Sequence, residues 1–210
     1  MNYRPDIDGL RAISILLILF YHVDNAVIPG GFIGVDVFFV ISGFLITTIV
    51  WKELEAGQFS FIDFYARRIR RIFPPVLIVL SMCLVVGWNG LFAHEFKVLG
   101  KHIAASAGFV SNWVYQSESG YFDQASIDKP LLHLWSLAIE EQFYVLWPLV
   151  LWGIRSVPAR INSPEKWSAH RVVAAITGGS LLLCLVLSWY RPHIVFYALP
   201  ARAWELGVGA

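Results

Sequence analysis

Arg11 and His22 stand at the two ends of a run of ten largely apolar residues, Ala12 to Tyr21. At about 1.5 Å per helical residue the run covers roughly 15 Å, half of a hydrocarbon core about 30 Å thick. The segment therefore either fails to span a membrane or spans it with ionisable side chains inside. Eleven helical steps of about 100° return Arg11 and His22 to one face, about 16 Å apart, with Ser14 near the same stripe. A charge at mid-membrane costs about 2.5 kcal/mol or more unless it meets protein or water. The stripe is therefore expected to line an internal, hydrated cavity. Histidine changes charge near neutral pH, which makes His22 a natural general base. The plainer alternatives are that Arg11 snorkels to headgroups and that His22 makes an interhelical hydrogen bond.

Three further groups sit in apolar or basic surroundings. Asp36 lies among Val, Phe and Ile in "GGFIGVDVFFVISGF" (Gly30–Phe44), where it either pairs with Arg11 or His22 or orients His22. Gly31, Gly34 and Gly43 in this stretch would let another helix approach closely. In "ARRIRRIFPP" (Ala66–Pro75) the pairs Arg67/Arg70 and Arg68/Arg71 are each i,i+3 and share a helix face. They read either as positive-inside anchors or as a guanidinium cradle for phosphates, which Arg grips bidentately. "LLHLWSLAIEEQFYVLWP" (Leu131–Pro148) places His133, Ser136, Glu140 and Tyr144 at three-or-four spacing, one polar stripe on a helix. Adjacent Glu140 and Glu141 point about 100° apart, so they are not a cooperative pair, and at least one is expected to face the cavity. No HExxH or other metal-ligand spacing is present. Trp135, Trp147 and Trp152 fit an interfacial belt and packing.

The elements that must position these groups are membrane helices. Of 210 residues 57% are hydrophobic and only 15% charged, and the mean hydropathy is +0.62, outside the range of a soluble domain. The stretches Phe32–Trp51, Ile72–Phe92, Leu131–Trp152 and Val172–Trp189 each approach the roughly twenty residues that a spanning helix needs. The net charge of +1 gives no basic surface for nucleic acid. Cys83 and Cys184 lie in apolar runs and read as small apolar residues. The first segment is not read as a signal peptide, because Asp6 and Asp8 precede it and no small-x-small site follows. Lys52 with Arg67, Arg68, Arg70 and Arg71, and later Arg155, Arg160, Lys166 and Arg171, predict cytosolic connections and a cytosolic N-terminus. Segments one and two then form a hairpin turning at Pro29-Gly30-Gly31. Val98–Tyr115 is only moderately apolar and is read as a re-entrant or interfacial helix. The polar stretch Gln116–Pro130 suits a loop near an extracytoplasmic substrate. "YALPARAWELGVGA" (Tyr197–Ala210) starts a further helix that the sequence leaves incomplete. The expected fold class is all-α: one polytopic helix bundle over residues 1–210, with about five spans, one re-entrant or interfacial helix and a truncated last helix.

Together these segments resemble acyltransferase family 3, integral membrane enzymes that O-acylate cell-surface glycans and related acceptors. The resemblance rests on "DGLRAISILLILFYH", "GGFIGVDVFFVISGFLIT", "FYARRIRRIFP", "PLLHLWSLAIEEQFYVLWP" and "ALPARAWELGVGA", in family order along nearly the whole chain. It implies transfer of an acyl group, commonly acetyl, from cytosolic acyl-CoA to a hydroxyl outside a bacterial cytoplasmic membrane. It makes His22 the catalytic histidine and Arg11 its partner, with Asp36 and Glu140 in the same polar set. Arg68 and Arg71 match the donor-holding Arg-x-x-Arg, although Arg67 and Arg70 satisfy the same spacing. Ser136, Trp135 and Tyr144 fall to substrate binding, and no bound cofactor or metal is implied. The implied partners are membrane lipid, acyl-CoA, a glycan acceptor, and further helices or an extracytoplasmic domain beyond this chain. The competing readings are half of a multi-pass transporter, whose buried ionisable groups would relay protons or bind solute, and an inactive fragment.

Overall fold

The computed structural model describes residues 4–24, 26–119, 129–156 and 165–210, apart from the side chains of residues 165–168. Every element among the described residues is helical, in the order α1 (Pro5–Val23), α2 (Ile33–Glu55), α3 (Phe61–Gly90), α4 (Ala93–Ala107), α5 (Ser111–Glu118), α6 (Leu134–Ser156), α7 (Glu165–Tyr190), α8 (Pro192–Tyr197) and α9 (Leu199–Gly209). This is the all-α polytopic bundle expected. Among the described residues four helices are long and apolar enough to cross a membrane: α2, α3, α6 and Ala169–Tyr190 within α7. With 19 residues, α1 is about 28 Å long. The chain is a multi-pass membrane protein. The middle of the polar stretch Gln116–Pro130, residue 160 and the side chain of residue 166 lie outside what the structure describes.

Pro5 opens α1 and Asp6 and Asp8 occupy its first turn. Both features suit a helix start, where amide hydrogens are unpaired and the dipole favours negative charge. The face carrying Ile7, Ser14 and Leu17 packs against α2, where the small residues of the second segment are required. A Cβ on Gly34 would lie 2.6 Å from the Ser14 carbonyl oxygen, and one on Gly31 would overlap Leu17 and Tyr21. At the other end of this antiparallel pair the Arg4 guanidinium lies 5.9 Å from the ring of Phe44, near the middle of α2. The second half of α2 therefore extends past α1.

Gly43 does the same for α9, whose Leu206 backbone occupies the space a Cβ would take. The central core lies between α2, α6 and α9, around Phe39, Ile46, Val50, Ile139, Phe143, Trp147 and Leu206. Trp135 and Trp147 are buried in it, whereas Trp152 is exposed. Trp147 donates to Thr47 Oγ1 at 2.7 Å, because a buried indole N–H needs a partner.

The basic connection after the second segment is itself helical. Ser60 caps α3 by accepting from the Asp63 amide, and the helix runs on through Pro74 and Pro75. The four arginines thus occupy the early turns of a long spanning helix. The segment read as re-entrant or interfacial is a helical hairpin. α4 and α5 meet at Gly108–Val110, where Phe109 takes a left-handed φ of 51°, uncommon for a bulky residue. The carbonyl of Phe109 accepts from Gln142 on α6 at 2.9 Å, and its ring packs edge-on against Phe73 of α3. The break contacts α3 and α6 through Phe109, while Gly108 and Val110 on either side of it are exposed.

Candidate active site

Of the four clustered arginines, Arg68 turns into the bundle. Its guanidinium carbon lies 4.0 Å from the centre of the Tyr144 ring, within cation–π range. Arg67 points away and pairs with Glu53 at 2.8 Å, while Arg70 and Arg71 are exposed. The structure thereby separates two pairs that spacing alone leaves equivalent, and it divides Arg68 from Arg71.

Tyr144 leads directly to a half-buried acid. Its hydroxyl donates to Glu140 Oε1 at 2.6 Å, and Ser42 of α2 donates to the same oxygen. Glu140 is thus held by two hydroxyl donors between α2 and α6. Glu141 points elsewhere, as expected of its neighbour. It lines a cavity of about 730 Å³ between α3, the hairpin apex and α6, shared with Arg68, Phe73, Phe109 and Trp113. Of the polar stripe on α6, the Glu140–Tyr144 half closes on itself. Ser136 donates back to the His133 carbonyl at 3.1 Å.

Asp36 pairs with neither Arg11 nor His22. Its partner is Arg202 of α9, with Nη2 at 2.5 Å from Oδ1, and Arg202 also meets Glu205 at 3.2 Å. Glu205 is 3% exposed. The rings of Phe39, Trp135 and Phe196 lie 5.5, 5.6 and 5.9 Å from the guanidinium carbon. Trp135 therefore acts here as a wall around an arginine. Arg202 and Glu205 are absent from the candidate residues read from the sequence. Their only signal there was one Arg and one Glu in a short apolar segment, and that spacing does not name a partner 166 positions away.

His22 lies at the end of α1, exposed in this chain. Its Nδ1 is 2.8 Å from the Ile18 carbonyl oxygen one turn back. A carbonyl only accepts, so this contact places the proton on Nδ1 and leaves the Nε2 lone pair pointing away from the helix. His133, in the turn before α6, is close enough to feel His22. Desolvation, and then the positive charge of His22, lower its pKa below the usual histidine value. Arg11 lies beside the first half of α2 and 4.0 Å from Asp8. Ser14, expected on a watery stripe, is 1% exposed and donates to the Leu10 carbonyl. It is buried because Gly34 lets α2 come so close.

The geometry thus places an imidazole at one end of α1, a half-buried carboxyl group between two hydroxyls, and an arginine stacked on Tyr144 beside a cavity. An Acyltransferase domain model matches residues 4–200. The O-acetyltransferase OatA of Staphylococcus aureus strain NCTC 8325 / PS 47 and that of strain COL are each 46% identical to this chain over 153 residues. The matched region is 71% of this chain and 25% of each relative. The chain therefore spans about a quarter of the length of the curated relatives it matches. No solved structure matches it. A family model over almost its full length, with the helical bundle and polar clusters above, makes this chain a member of acyltransferase family 3.

Proposed function

We infer that the protein works as a membrane O-acyltransferase, moving an acetyl group from cytosolic acyl-CoA to a hydroxyl of an extracytoplasmic glycan. The observation that carries the reading is the inward-turned Arg68. A guanidinium stacked on Tyr144, above Glu140 and beside a cavity of about 730 Å³, is poised to take an anionic group, and the donor's phosphates are one. The reading places the N-terminus in the cytosol, as the Lys and Arg distribution favours, and the chain in a bacterial cytoplasmic membrane. Arg71, exposed on the next turn, would meet the donor first.

The chemistry assigned to His22 follows from its hydrogen bond to Ile18. With Nδ1 protonated and donating to that carbonyl, Nε2 accepts the proton of the acceptor hydroxyl. The hydroxyl oxygen then attacks the thioester carbonyl, the C–O bond forms, the C–S bond breaks, and the thiolate leaves with CoA. In the alternative route Nε2 itself attacks, and His22 carries the acetyl group until the hydroxyl displaces it. Arg11, Asp36 and Glu140 are assigned to holding the helices around this path, and Ser136, Trp135 and Tyr144 to its walls.

Incubation with radiolabelled acetyl-CoA and no acceptor distinguishes the routes: label on the protein supports the carrier, and none supports the base. His22→Ala must abolish transfer in both. Transfer that survives this substitution overturns the reading.

A further inference from the structure

The cavity beside Arg68 has a polar group in its wall that no described residue satisfies. Phe73, Phe109, Leu146 and Leu199 make much of that wall apolar, and its polar side chains are Tyr65, Arg68, Trp113, Glu141 and Gln142. Three of these are spent on protein partners. Tyr65 donates to the Val145 carbonyl at 2.9 Å. Gln142 donates to the Phe109 carbonyl at 2.9 Å and to Asn112 Oδ1 at 2.8 Å, and it accepts from the Trp113 indole at 3.4 Å. Glu141 differs: its Oε1 is shielded from solvent and has no hydrogen-bond partner among the described residues.

A carboxyl group kept this way in an apolar wall costs stability, and it accepts hydrogen bonds in either protonation state. The last torsion of a glutamate is soft, so either oxygen can turn toward a donor in the cavity. A ligand that meets this need carries N–H or O–H groups at a set distance from whatever Arg68 holds. Position along α6 fixes that distance. Arg68 stacks on Tyr144, and Glu141 lies one turn, about 4.5 Å, nearer the end of α6 that begins at Leu134. A further 10 Å or about two turns of helix leads to Leu134 and the adjacent His133, which is close enough to His22 to feel its charge.

We propose that Glu141 reads the pantetheine arm of the donor, accepting from its hydroxyl and amide N–H groups while Arg68 holds the phosphates. The inference rests on the acyl-CoA reading above and adds to it a residue that selects the arm. The order Arg68, Glu141, His22 then follows the order phosphate, amide, thioester along the donor, and the apolar wall faces the arm's methyl and methylene groups. A Glu141 that merely braced Arg68 as a counter-charge would respond in the opposite way to its removal.

The test is equilibrium binding to the protein in lipid nanodiscs with acetyl-CoA, acetyl-pantetheine and ADP as probes, beside melting curves without ligand. Acetyl-pantetheine carries the arm without phosphates, and ADP carries phosphates without the arm. Glu141→Leu should weaken acetyl-CoA and acetyl-pantetheine by about fivefold or more, as loss of a hydrogen bond does, and leave ADP unchanged. It should also raise the melting temperature, because the unsatisfied carboxyl group is gone. Glu141→Gln, which keeps an accepting oxygen, should recover most of the affinity. Arg68→Lys should show the reverse selectivity, weakening acetyl-CoA and ADP and sparing acetyl-pantetheine. Equal binding of acetyl-pantetheine by the wild type and Glu141→Leu overturns the proposal and leaves the Arg68 assignment standing. Weaker ADP binding with a lower melting temperature in Glu141→Leu also overturns it, and makes Glu141 a brace for Arg68. A wild type that binds none of the three probes overturns the acyl-CoA reading and the proposal with it.

Discussion

Arg202 reaches from α9 to within 2.5 Å of Asp36 on α2, and three aromatic rings close around the guanidinium. Two acids and one arginine share this space, and Glu205 has almost no access to solvent. Removing the arginine would strand both carboxylates. Breaking a buried pair in this way costs about 3–5 kcal/mol. Arg202→Met should therefore lower the melting temperature sharply, and Arg202→Lys should restore part of the loss, since an ammonium keeps the charge without the planar stack. Equal melting of the wild type and Arg202→Met would mean that the pair contributes nothing.

Arg68 and Arg71 are one helical turn apart but differ in what they touch. Arg68 stacks on Tyr144, while Arg71 is exposed. Substituting Arg68 by Lys should raise the apparent KM for acetyl-CoA about tenfold or more, because a point charge replaces a stacked, bidentate group. The same change at Arg71 should have an effect several times smaller. Steady-state kinetics at varied donor concentration tests this, and a larger effect at Arg71 would contradict the assignment of Arg68 as the inner donor contact.

Ser42 and Tyr144 both donate to Glu140. A typical intramolecular hydrogen bond contributes about 0.5–1.5 kcal/mol. Ser42→Ala and Tyr144→Phe should each destabilise the protein by roughly that amount. Because they share one acceptor, the double variant should lose less than the sum of the two. Chemical denaturation of the four proteins measures the coupling, and strict additivity would show that the two hydroxyls act independently.

The close approach of α1 to α2 gives a test in the backbone. A methyl group on Gly34 would sit 2.6 Å from the Ser14 carbonyl oxygen, whereas nothing lies within 4 Å of one on Gly30. Overpacking of this kind typically costs about 1–3 kcal/mol. Gly34→Ala should destabilise the protein and, by pushing α1 outward, slow transfer through His22. Gly30→Ala should change neither. Paired melting and activity measurements decide it.

Much of this was legible in the sequence, for physical reasons. The long apolar runs fix the four spanning helices, and the glycines of the second segment announce close packing, which α1 and α9 both use. The middling hydropathy of the α4–α5 region sets it apart from the long apolar helices, but nothing in it marks the break at Gly108–Val110. Long-range pairing was not legible: nothing in "ALPARAWELGVGA" says that Arg202 faces Asp36, because that contact depends on how α9 stacks on α2. The expected wet stripe on α1 differs for the same reason. Helical periodicity puts Ser14 on a face with Arg11 and His22, but it does not reveal that Gly34 buries that serine. The two Arg pairs of α3 are equivalent by spacing, and only the position of Tyr144 separates them.

Glu118 supplies a prediction in pH. Burial pushes its pKa up, but hydrogen bonds from Lys101 and His102, with their charges, outweigh this and hold it below the usual value of 4.5. The carboxylate therefore binds protons less readily in the folded protein than in the unfolded chain. Its contribution is fully present above about pH 4.5 and is lost as the pH falls through the folded value. Lys101, His102, Lys129 and Tyr115 all face this group. Melting temperatures from pH 7 to pH 3.5 should show the wild type losing stability below about pH 4.5, on the side where Glu118 takes up its proton. Glu118→Gln should start less stable at neutral pH and show a shallower fall over that acid range. If the two proteins follow parallel curves, the charge on Glu118 does not hold the hairpin to the turn before α6, and the neutral part of its contacts must do so.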